Sequence, residues 1–324
     1  MSIGLIAAVL GGVLAGAADV GLGDVAHVIG FKLGLVGDER LADGVLWAVR
    51  IPRVLAAALA GGLLAACGAA LQGVLRNDMA DPQLVGILPV AGLGGVVGIA
   101  LGGAGSTEVG VMVGGAIAGS VAALLIRRVA MRIGDPSQFV LVGLVLGLTA
   151  LAWLGAVVAA WDSPLLPTFS FWVFGGLSGA TWSLLGAALP LAVAAGGVLA
   201  AVARRLDLVA LGEREARHLG VDVGRVSSLT LVGCGLAAGA AVGLAGIVGF
   251  VGLVVPLSLR NAIGPSHGWL ISLSALGGAA AVVVLDTVAR TIVAPVEIPV
   301  GLLTAGLGGP VFVWALLRSH RWAQ

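Results

Sequence analysis

The chain has 324 residues, of which 59% are hydrophobic and only 10% are charged, and its mean hydropathy is +1.13. A soluble domain carries about 25% charged residues, so this composition excludes an ordinary soluble enzyme and indicates a polytopic membrane protein. The net charge of +1 gives no reason to expect a nucleic-acid partner. A spanning helix needs roughly 20 mostly apolar residues, so the length allows about ten such helices.

Apolar runs bounded by charged residues, prolines or glycines predict an all-α fold, with one transmembrane domain over residues 1–324. The ten predicted spans are 2–18, 54–74, 84–103, 109–126, 138–160, 183–203, 227–245, 247–259, 269–289 and 300–317. Segment 19–49 lies between the first two predicted spans, and segment 161–182 is too polar and proline-rich to span. We expect both to be external loops, the second with a short interfacial helix.

The distribution of lysine and arginine predicts the orientation of the bundle, because cytoplasmic loops carry an excess of these residues. Loops on one side hold twelve of the 17 basic residues, and the other side holds Lys32, Arg40, Arg50, Arg53 and Arg290. We therefore expect both termini, and the charged segment 204–226, to lie in the cytoplasm.

Small residues recur every four positions within several predicted spans, a spacing that lets helix backbones approach closely. The glycines are Gly94, Gly98 and Gly102; Gly115 and Gly119; Gly143 and Gly147; and Gly235, Gly239 and Gly243. This pattern predicts a tightly packed bundle but no particular function.

The sequence offers no catalytic or metal-binding constellation. It lacks the GxxxxGK[ST] loop that cradles ATP phosphates, the HExxH zinc motif and the GxSxG nucleophile elbow. Cys67 and Cys234 lie in separate apolar runs, and we interpret them as two small buried residues rather than a disulfide or metal pair. We therefore predict that this chain is not an enzyme and holds no cofactor.

Asp286 and Arg290 are the ionisable residues that stand within a span, four positions apart near the outer end of the ninth. They form either a local ion pair that eases the burial of both, or an arrangement in which Asp286 orients an exposed Arg290. An ion-coupled transporter normally needs a carboxylate near the midplane, and no other acid lies inside a span. That argues against an ATP-independent secondary transporter or channel, which we keep as the alternative class.

The stretch "LGEREARHLGVDVGR" (211–225) concentrates charge between two apolar runs and predicts a short helix over 211–219. Glu213 and Arg217 stand i,i+4 in the favourable order, with acids in the first turns and bases in the last. Gly220 suits the position after the helix, and Asp222 can cap the next one. A helix lying in the lipid headgroups is the alternative. Mixed charge without aromatic residues favours a protein partner.

Several stretches resemble the permeases that import iron siderophores, haem and cobalamin, the FecCD type. They are "RIPRVLAAALAGGLLAACGAALQGVLRNDMADPQLVGI" (50–87), "FGGLSGATW" (174–182), the 211–225 stretch, "AGIVGFVGLVVP" (245–256) and "PVEIPVGLLTAGLGGPVF" (295–312). The motifs occur in the family's order, and the resemblance runs from about residue 46 to the C-terminus.

The resemblance implies an ABC importer in a bacterial cytoplasmic (inner) membrane, with this chain as one permease subunit. Its partners would be a second permease subunit (identical or a paralogue), two cytoplasmic ATPases that bind ATP and Mg²⁺, and a periplasmic or lipid-anchored substrate-binding protein. The implied substrate is a ferric siderophore or similar bulky metal chelate, with haem or cobalamin as the alternative.

The resemblance also assigns roles to residues. It implies a coupling helix that docks on the ATPase through Leu211, Glu213, Arg214, Glu215, Arg217, His218, Leu219 and Gly220. Arg50, Arg53 and Arg290 would pair with acidic residues of the binding protein. Asn77 and Met79 would lie in a cytoplasmic gate.

Three stretches depart from the family's pattern. Asp78 and Met79 replace the Pro and Leu of "RNPLADP", Leu257 replaces the histidine of "VPHxxR", and "SHGWLISLSAL" (266–276) lacks the usual Asp, Arg and Pro. The first departure puts the implied gate in doubt.

Overall fold

The computed structural model describes residues 1–15, 21–35, 41–102, 107–133, 138–160, 173–294 and 296–319. Over these ranges the secondary structure is helical, as predicted. The helices are α1 (Ser2–Leu14), α2 (Leu22–Lys32), α3 (Leu41–Val45), α4 (Ile51–Leu75), α5 (Ile87–Gly102), α6 (Thr107–Ile133), α7 (Gln138–Ala160), α8 (Trp182–Ala210), α9 (Glu213–His218), α10 (Val223–Ala245), α11 (Val251–Ile263), α12 (His267–Thr291) and α13 (Val300–Ser319). A π-helical turn, Leu46–Arg50, joins α3 to α4.

The described residues contain six helices that are long and apolar enough to cross a membrane, namely α4 with the turns before it, α6, α7, α8, α10 and α12. Four shorter apolar helices, α1, α5, α11 and α13, accompany them. Together they match the ten predicted spans. α1 and α11 have 13 residues each, about 20 Å, and are therefore shorter than a typical hydrocarbon core of about 30 Å.

Several predicted boundaries are wrong because charged residues do not end a helix. α8 continues through Arg204 and Arg205 to Ala210, and its 29 residues give a length of about 43 Å, which exceeds the hydrocarbon core. α10 already begins at Val223. The segment between α8 and α10 is therefore 211–222, and the remaining residues of the predicted cytoplasmic segment 204–226 belong to the ends of these two helices.

The predicted external loop 19–49 is also wrong as a loop, because it contains α2, α3 and most of the π turn. Trp182 at the start of α8 packs against Trp47 of that turn, with ring centroids 4.8 Å apart. The Trp182 indole N–H donates to the Trp47 carbonyl at 2.7 Å. The second predicted loop, 161–182 with an interfacial helix, is described only from residue 173 onward.

The span predicted at 247–259 starts later, at Val251, because residues 246–250 interrupt the helical backbone between α10 and α11. Gly246 has φ of 66° and Phe250 has φ of 64°, both in the left-handed region that helices do not use. α11 consequently begins inside the bundle, where Gly252 lies against the middle of α4 near Gly68.

α4 and α10 form the centre of the bundle, and both are mostly buried. α4 contacts α12, α10, α8 and α11, while α10 contacts α6 and α8. Glycines stand where backbones meet: a Cβ atom at Gly61 would overlap the Gly278 carbonyl, and one at Gly68 would overlap the Gly252 carbonyl. The predicted close contacts at Gly235 and Gly239 are confirmed, against Ser120 and Ala116 of α6.

Cys67 of α4 and Cys234 of α10 are buried free thiols, as predicted, but they are neighbours. The Cys67 thiol lies 4.0 Å from the Cys234 carbonyl oxygen, and the Cys234 thiol lies 3.7 Å from the Cys67 carbonyl oxygen. Nothing in the sequence indicated this contact, because the two residues are 167 positions apart.

The bundle has two ends. We call the inner end the one where α4, α6 and α8 finish and α9 lies, and the outer end the one where α1 and α12 finish and α4 begins. By the count of basic residues, the inner end is the predicted cytoplasmic side.

Candidate functional site

α9 is a short helix that stands out from the inner end between α8 and α10. Glu213, Arg214, Glu215, Arg217 and His218 are all exposed, whereas Ala216 is fully buried. Apolar side chains flank the helix at both ends, with Leu211 65% and Leu219 61% exposed. The helix therefore presents a charged face with an apolar residue at each end, and one alanine anchors it to the bundle.

The predicted local interactions of α9 are confirmed. Arg217 donates to Glu213 at 2.8 Å as an i,i+4 ion pair. Gly220 has φ of 80° at the turn after the helix, where a residue with a Cβ would be strained. The Asp222 carboxylate accepts the Arg225 backbone N–H at 3.0 Å and caps α10. α9 thus keeps a defined orientation relative to the next span.

A polar cluster ties α4 to α11 at the inner end. Arg260 of α11 donates to the Gln72 side-chain oxygen of α4 at 3.0 Å and pairs with Asp78. Gln72 in turn lies 3.4 Å from the carbonyl oxygens of Ala80 and Gly252. Asp78 is one of the departures from the family's pattern, and here it supplies the carboxylate that binds Arg260.

The predicted gate residues lie in the turn between α4 and α5. Asn77 accepts the Met79 backbone N–H at 2.9 Å and so fixes the turn after Arg76, whose φ is 48°. Further along, Asp81 is 1% exposed and accepts the Gln83 backbone N–H at 2.8 Å. Burial raises the pKa of Asp81 to about 6, while this backbone hydrogen bond opposes the rise. The turn is folded into the bundle, and both Asn77 and Met79 are only partly exposed.

A second inner contact joins α8 to α12. Asp207 accepts from the His267 ring at 2.8 Å and from the His267 backbone N–H at 2.6 Å. The His267 ring packs against Gly73 of α4, where a Cβ atom would collide with it. The sequence did not predict this contact, because Asp207 and His267 are 60 residues apart.

At the outer end, Arg53 binds two carboxylates from distant parts of the chain. Its Nε and Nη2 atoms donate to Asp286 at 3.0 and 2.9 Å. Its Nη1 atom donates to Glu297 at 2.9 Å. Asp286 is 2% exposed, whereas the Glu297 side chain is 37% exposed. The buried part of this network is therefore the Arg53–Asp286 pair, and Glu297 is its surface member.

Arg50 and Arg290 hold the end of α1. Arg50 donates to the carbonyl oxygens of Val13 and Leu14 at 3.1 Å each, and Arg290 donates to that of Gly12. The last carbonyls of a helix lack intrahelical partners and carry the negative end of its dipole. Two cationic side chains thus cap α1 and attach it to the π-helical turn before α4 and to α12.

The three predicted docking arginines lie together at the outer end. Of the two alternatives for Arg290, the one in which its side chain is exposed is wrong. Arg50 is 5% and Arg53 7% exposed, and the Arg290 side chain is 8% exposed. The nearer partner of Asp286 is Arg53, at 2.9 Å. The Nε atom of Arg290 is 3.7 Å from the same carboxylate. Helix spacing could suggest only the i,i+4 partner, because the closer one comes from another helix.

A model of the FecCD transport family matches residues 4–318. The chain belongs to the FecCD transport family. One relative, 40% identical over 84% of this chain and 83% of its own length, is the hemin transport system permease protein HmuU of Yersinia pestis. Another, 38% identical over 88% of this chain and 76% of its own length, is the cobalamin import system permease protein BtuC of Halobacterium salinarum.

Among solved structures, an inward-facing conformation of an ABC transporter assigned to the metal-chelate type superposes with a TM-score of 0.82. The two sequences are 25% identical, and the match covers 98% of this FecCD chain and 97% of that chain. The chain is therefore a membrane permease subunit of an ABC importer. The alternative of an ATP-independent secondary transporter or channel is excluded.

Of the polar contacts described above, we expect loss of the Arg53–Asp286 pair to lower the stability of this FecCD permease most. Replacing Asp286 with Asn leaves the buried Arg53 without its bidentate carboxylate, a change that typically costs about 3–5 kcal/mol. Glu297→Gln is the matched control, because it removes the more exposed carboxylate from the same guanidinium. Thermal unfolding in detergent should show a much larger loss of Tm for Asp286→Asn; equal losses would contradict the assignment.

Proposed function

We propose that this permease carries a bulky metal chelate across a bacterial cytoplasmic membrane, with both termini in the cytoplasm, using ATP hydrolysed by a separate subunit. The observation that carries the proposal is α9, a short exposed helix of mixed charge attached to the ends of two spans. Its eight contact candidates are Leu211, Glu213, Arg214, Glu215, Arg217, His218, Leu219 and Gly220. Such a surface suits a groove on a protein partner, and we assign that partner as the ATPase.

The assembly that we propose contains two permease subunits, two cytoplasmic ATPases and a periplasmic or lipid-anchored binding protein. The second permease subunit is what the resemblance to the family implies. The surface that we assign to it is α7, which leaves a row of large apolar side chains exposed along its length: Leu141, Leu144, Val145, Leu148 and Leu151. We propose that a copy of this chain or a paralogue faces this row across the substrate pathway.

In this mechanism ATP binding closes the ATPase dimer and displaces α9. Because Asp222 caps α10 directly after the Gly220 turn, a displacement of α9 is passed to α10 rather than absorbed in a loose loop. The bundle then alternates between a conformation open to the outside and one open to the cytoplasm. ATP and the binding protein each bind one of these conformations more tightly and so shift the equilibrium between them. Asn77 and Met79, in the turn after α4, are the proposed inner gate.

Exchanging the charges of α9 tests the coupling role. In Glu213→Arg/Arg217→Glu the i,i+4 pair survives in reversed order, and such exposed pairs contribute only about 0.3–0.5 kcal/mol, so folding should be preserved. The charge presented to the ATPase is inverted, however. In proteoliposomes we expect ATP-driven uptake to fall to background with an unchanged Tm.

The control for this exchange is Arg128→Glu, a charge reversal at an exposed residue near the inner end of α6. It should leave uptake near the parent level. Normal uptake by the α9 exchange variant would refute the coupling role.

At the outer end we propose that acidic residues of the binding protein engage the cluster of Arg50, Arg53 and Arg290. These guanidinium groups are bound to acceptors of the chain itself, so docking must compete with those acceptors. Glu297 is the most accessible competitor, because its side chain is 37% exposed and occupies only one side of Arg53. A carboxylate of the binding protein could replace it without breaking the buried Arg53–Asp286 pair.

This competition predicts that Glu297→Gln strengthens docking. Removing the internal carboxylate leaves Arg53 more available, and we expect a several-fold tighter complex at low salt that weakens as salt rises. The control is Glu108→Gln, which removes an acid near the start of α6 that accepts from Ser183. Affinity should be measured with the immobilised transporter; unchanged or weaker binding by Glu297→Gln alone would refute the proposal.

For the substrate, the resemblance to the family favours a ferric siderophore, the commonest substrate in it, with haem or cobalamin as the alternative. The relatives named for hemin and cobalamin transport favour the second candidate, a metal-bound tetrapyrrole-type ring. The two candidates share a bulky, mostly rigid metal chelate, and that shared class is our proposal.

Uptake by the reconstituted transporter with its binding protein tests the substrate class. We expect ATP-dependent accumulation of one of three chelates (a ferric siderophore, haemin or cobalamin) and none of free ferric ion. Omission of ATP is the control for leakage. Failure to transport any of the three would contradict the metal-chelate proposal.

A further inference from the structure

A cavity of about 420 Å³ opens at the inner end beside α9, between the ends of α4 and α6 and the starts of α7 and α10. Its polar lining includes Arg76, Arg127, Glu213 and Arg217, and its apolar lining includes Phe139 and Leu231. Leu231 is fully buried and Phe139 is 3% exposed, so the cavity has an apolar floor under a charged rim. The Glu213–Arg217 ion pair of α9 lies on this rim.

The charge of the rim does not cancel. Glu213 is neutralised by Arg217 at 2.8 Å. Asp222 caps α10 near the rim and keeps its negative charge, and its carboxylate and the Arg127 guanidinium both lie beside Gly224. Arg127 donates to the Ser228 hydroxyl at 3.3 Å. Within the described ranges, no carboxylate pairs with Arg76 or Arg127. Among the described residues of the rim, the three arginines Arg76, Arg127 and Arg217 outnumber the two carboxylates Glu213 and Asp222. The rim therefore keeps a net positive charge.

The level of the cavity relative to the predicted membrane indicates a lipid as its ligand. Arg76 directly follows α4, Arg127 lies in the last two turns of α6, and Phe139 begins α7. These positions correspond to the headgroup level of the predicted cytoplasmic leaflet, with Leu231 reaching about two turns deeper. Basic pockets between spans on that side suit anionic lipid headgroups. A guanidinium binds phosphate oxygens in a fork, and apolar walls suit acyl carbons.

We propose that this cavity binds one anionic phospholipid, with its phosphate between Arg76 and Arg127 and the start of its acyl chain against Phe139 and Leu231. The ligand would touch α9 through Arg217, so it would connect the coupling helix to α6. An effect of the lipid on ATP-driven uptake depends on the proposed function above, but binding of the lipid does not.

The test is a titration of the purified full-length permease in detergent with fluorescent phosphatidylglycerol, followed by native mass spectrometry. Arg76→Gln/Arg127→Gln should weaken binding about tenfold or more, since each basic residue near a headgroup contributes about 1 kcal/mol. Arg128→Gln/Arg132→Gln is the matched control, with the same change in charge at exposed residues of α6 outside the cavity. Arg76→Lys/Arg127→Lys keeps the charge and should retain most of the affinity.

Three outcomes would overturn the proposal. Equal affinity of the two double Gln variants, or equal binding of phosphatidylcholine, would show that the lipid does not recognise these arginines. Full displacement of phosphatidylglycerol by millimolar inorganic phosphate would identify a site for free anions. Unchanged lipid affinity with lost ATPase association in Arg76→Gln/Arg127→Gln would assign the cavity to an acidic segment of the ATPase.

Discussion

Close approach of helix backbones is the constraint on which the rest of this permease depends. Lipid tails are as apolar as leucine, so spans gain little by excluding lipid and rely on packing instead. Gly61 and Gly68 let α4 touch α12 and α11 at backbone carbonyls, and Gly235 lets α10 touch the backbone of Ser120 on α6. With α4 and α10 at the centre, the other spans are gathered around them, and the two ends acquire their functional residues.

The polar residues of the bundle are concentrated at its two ends, and α4 contributes to both. Arg53 near its start binds Asp286 of α12, and Gln72 near its finish binds Arg260 of α11. Buried charges of this kind cost several kcal/mol unless they are paired. Any movement of α4 relative to α12 or α11 must therefore either carry these contacts along or replace them, which limits the states that the transporter can adopt.

Local features of α9 could be predicted from the sequence because they depend on neighbours within a few residues. The Glu213–Arg217 pair, the Gly220 turn and the Asp222 cap all involve separations of four residues or fewer. Span boundaries were predicted less well, since a helix such as α8 continues through charged residues once it leaves the bilayer. The break before Val251 depends on left-handed backbone at Gly246 and Phe250, and only the first of these has the residue type that signals it.

Composition and periodicity by themselves determined an all-α membrane bundle of ten apolar helices, and ordered motifs determined its family. Tertiary structure alone decided which charges are free and which are engaged. Arg53 meets Glu297 across 244 residues, and Cys67 meets Cys234 across 167. The residue type and spacing of Arg50, Arg53 and Arg290 indicated an outer cluster, but their burial follows from acceptors on α1 and α12. Such contacts are set by how helices pack, and neither the position of a residue in the chain nor its charge encodes that packing directly.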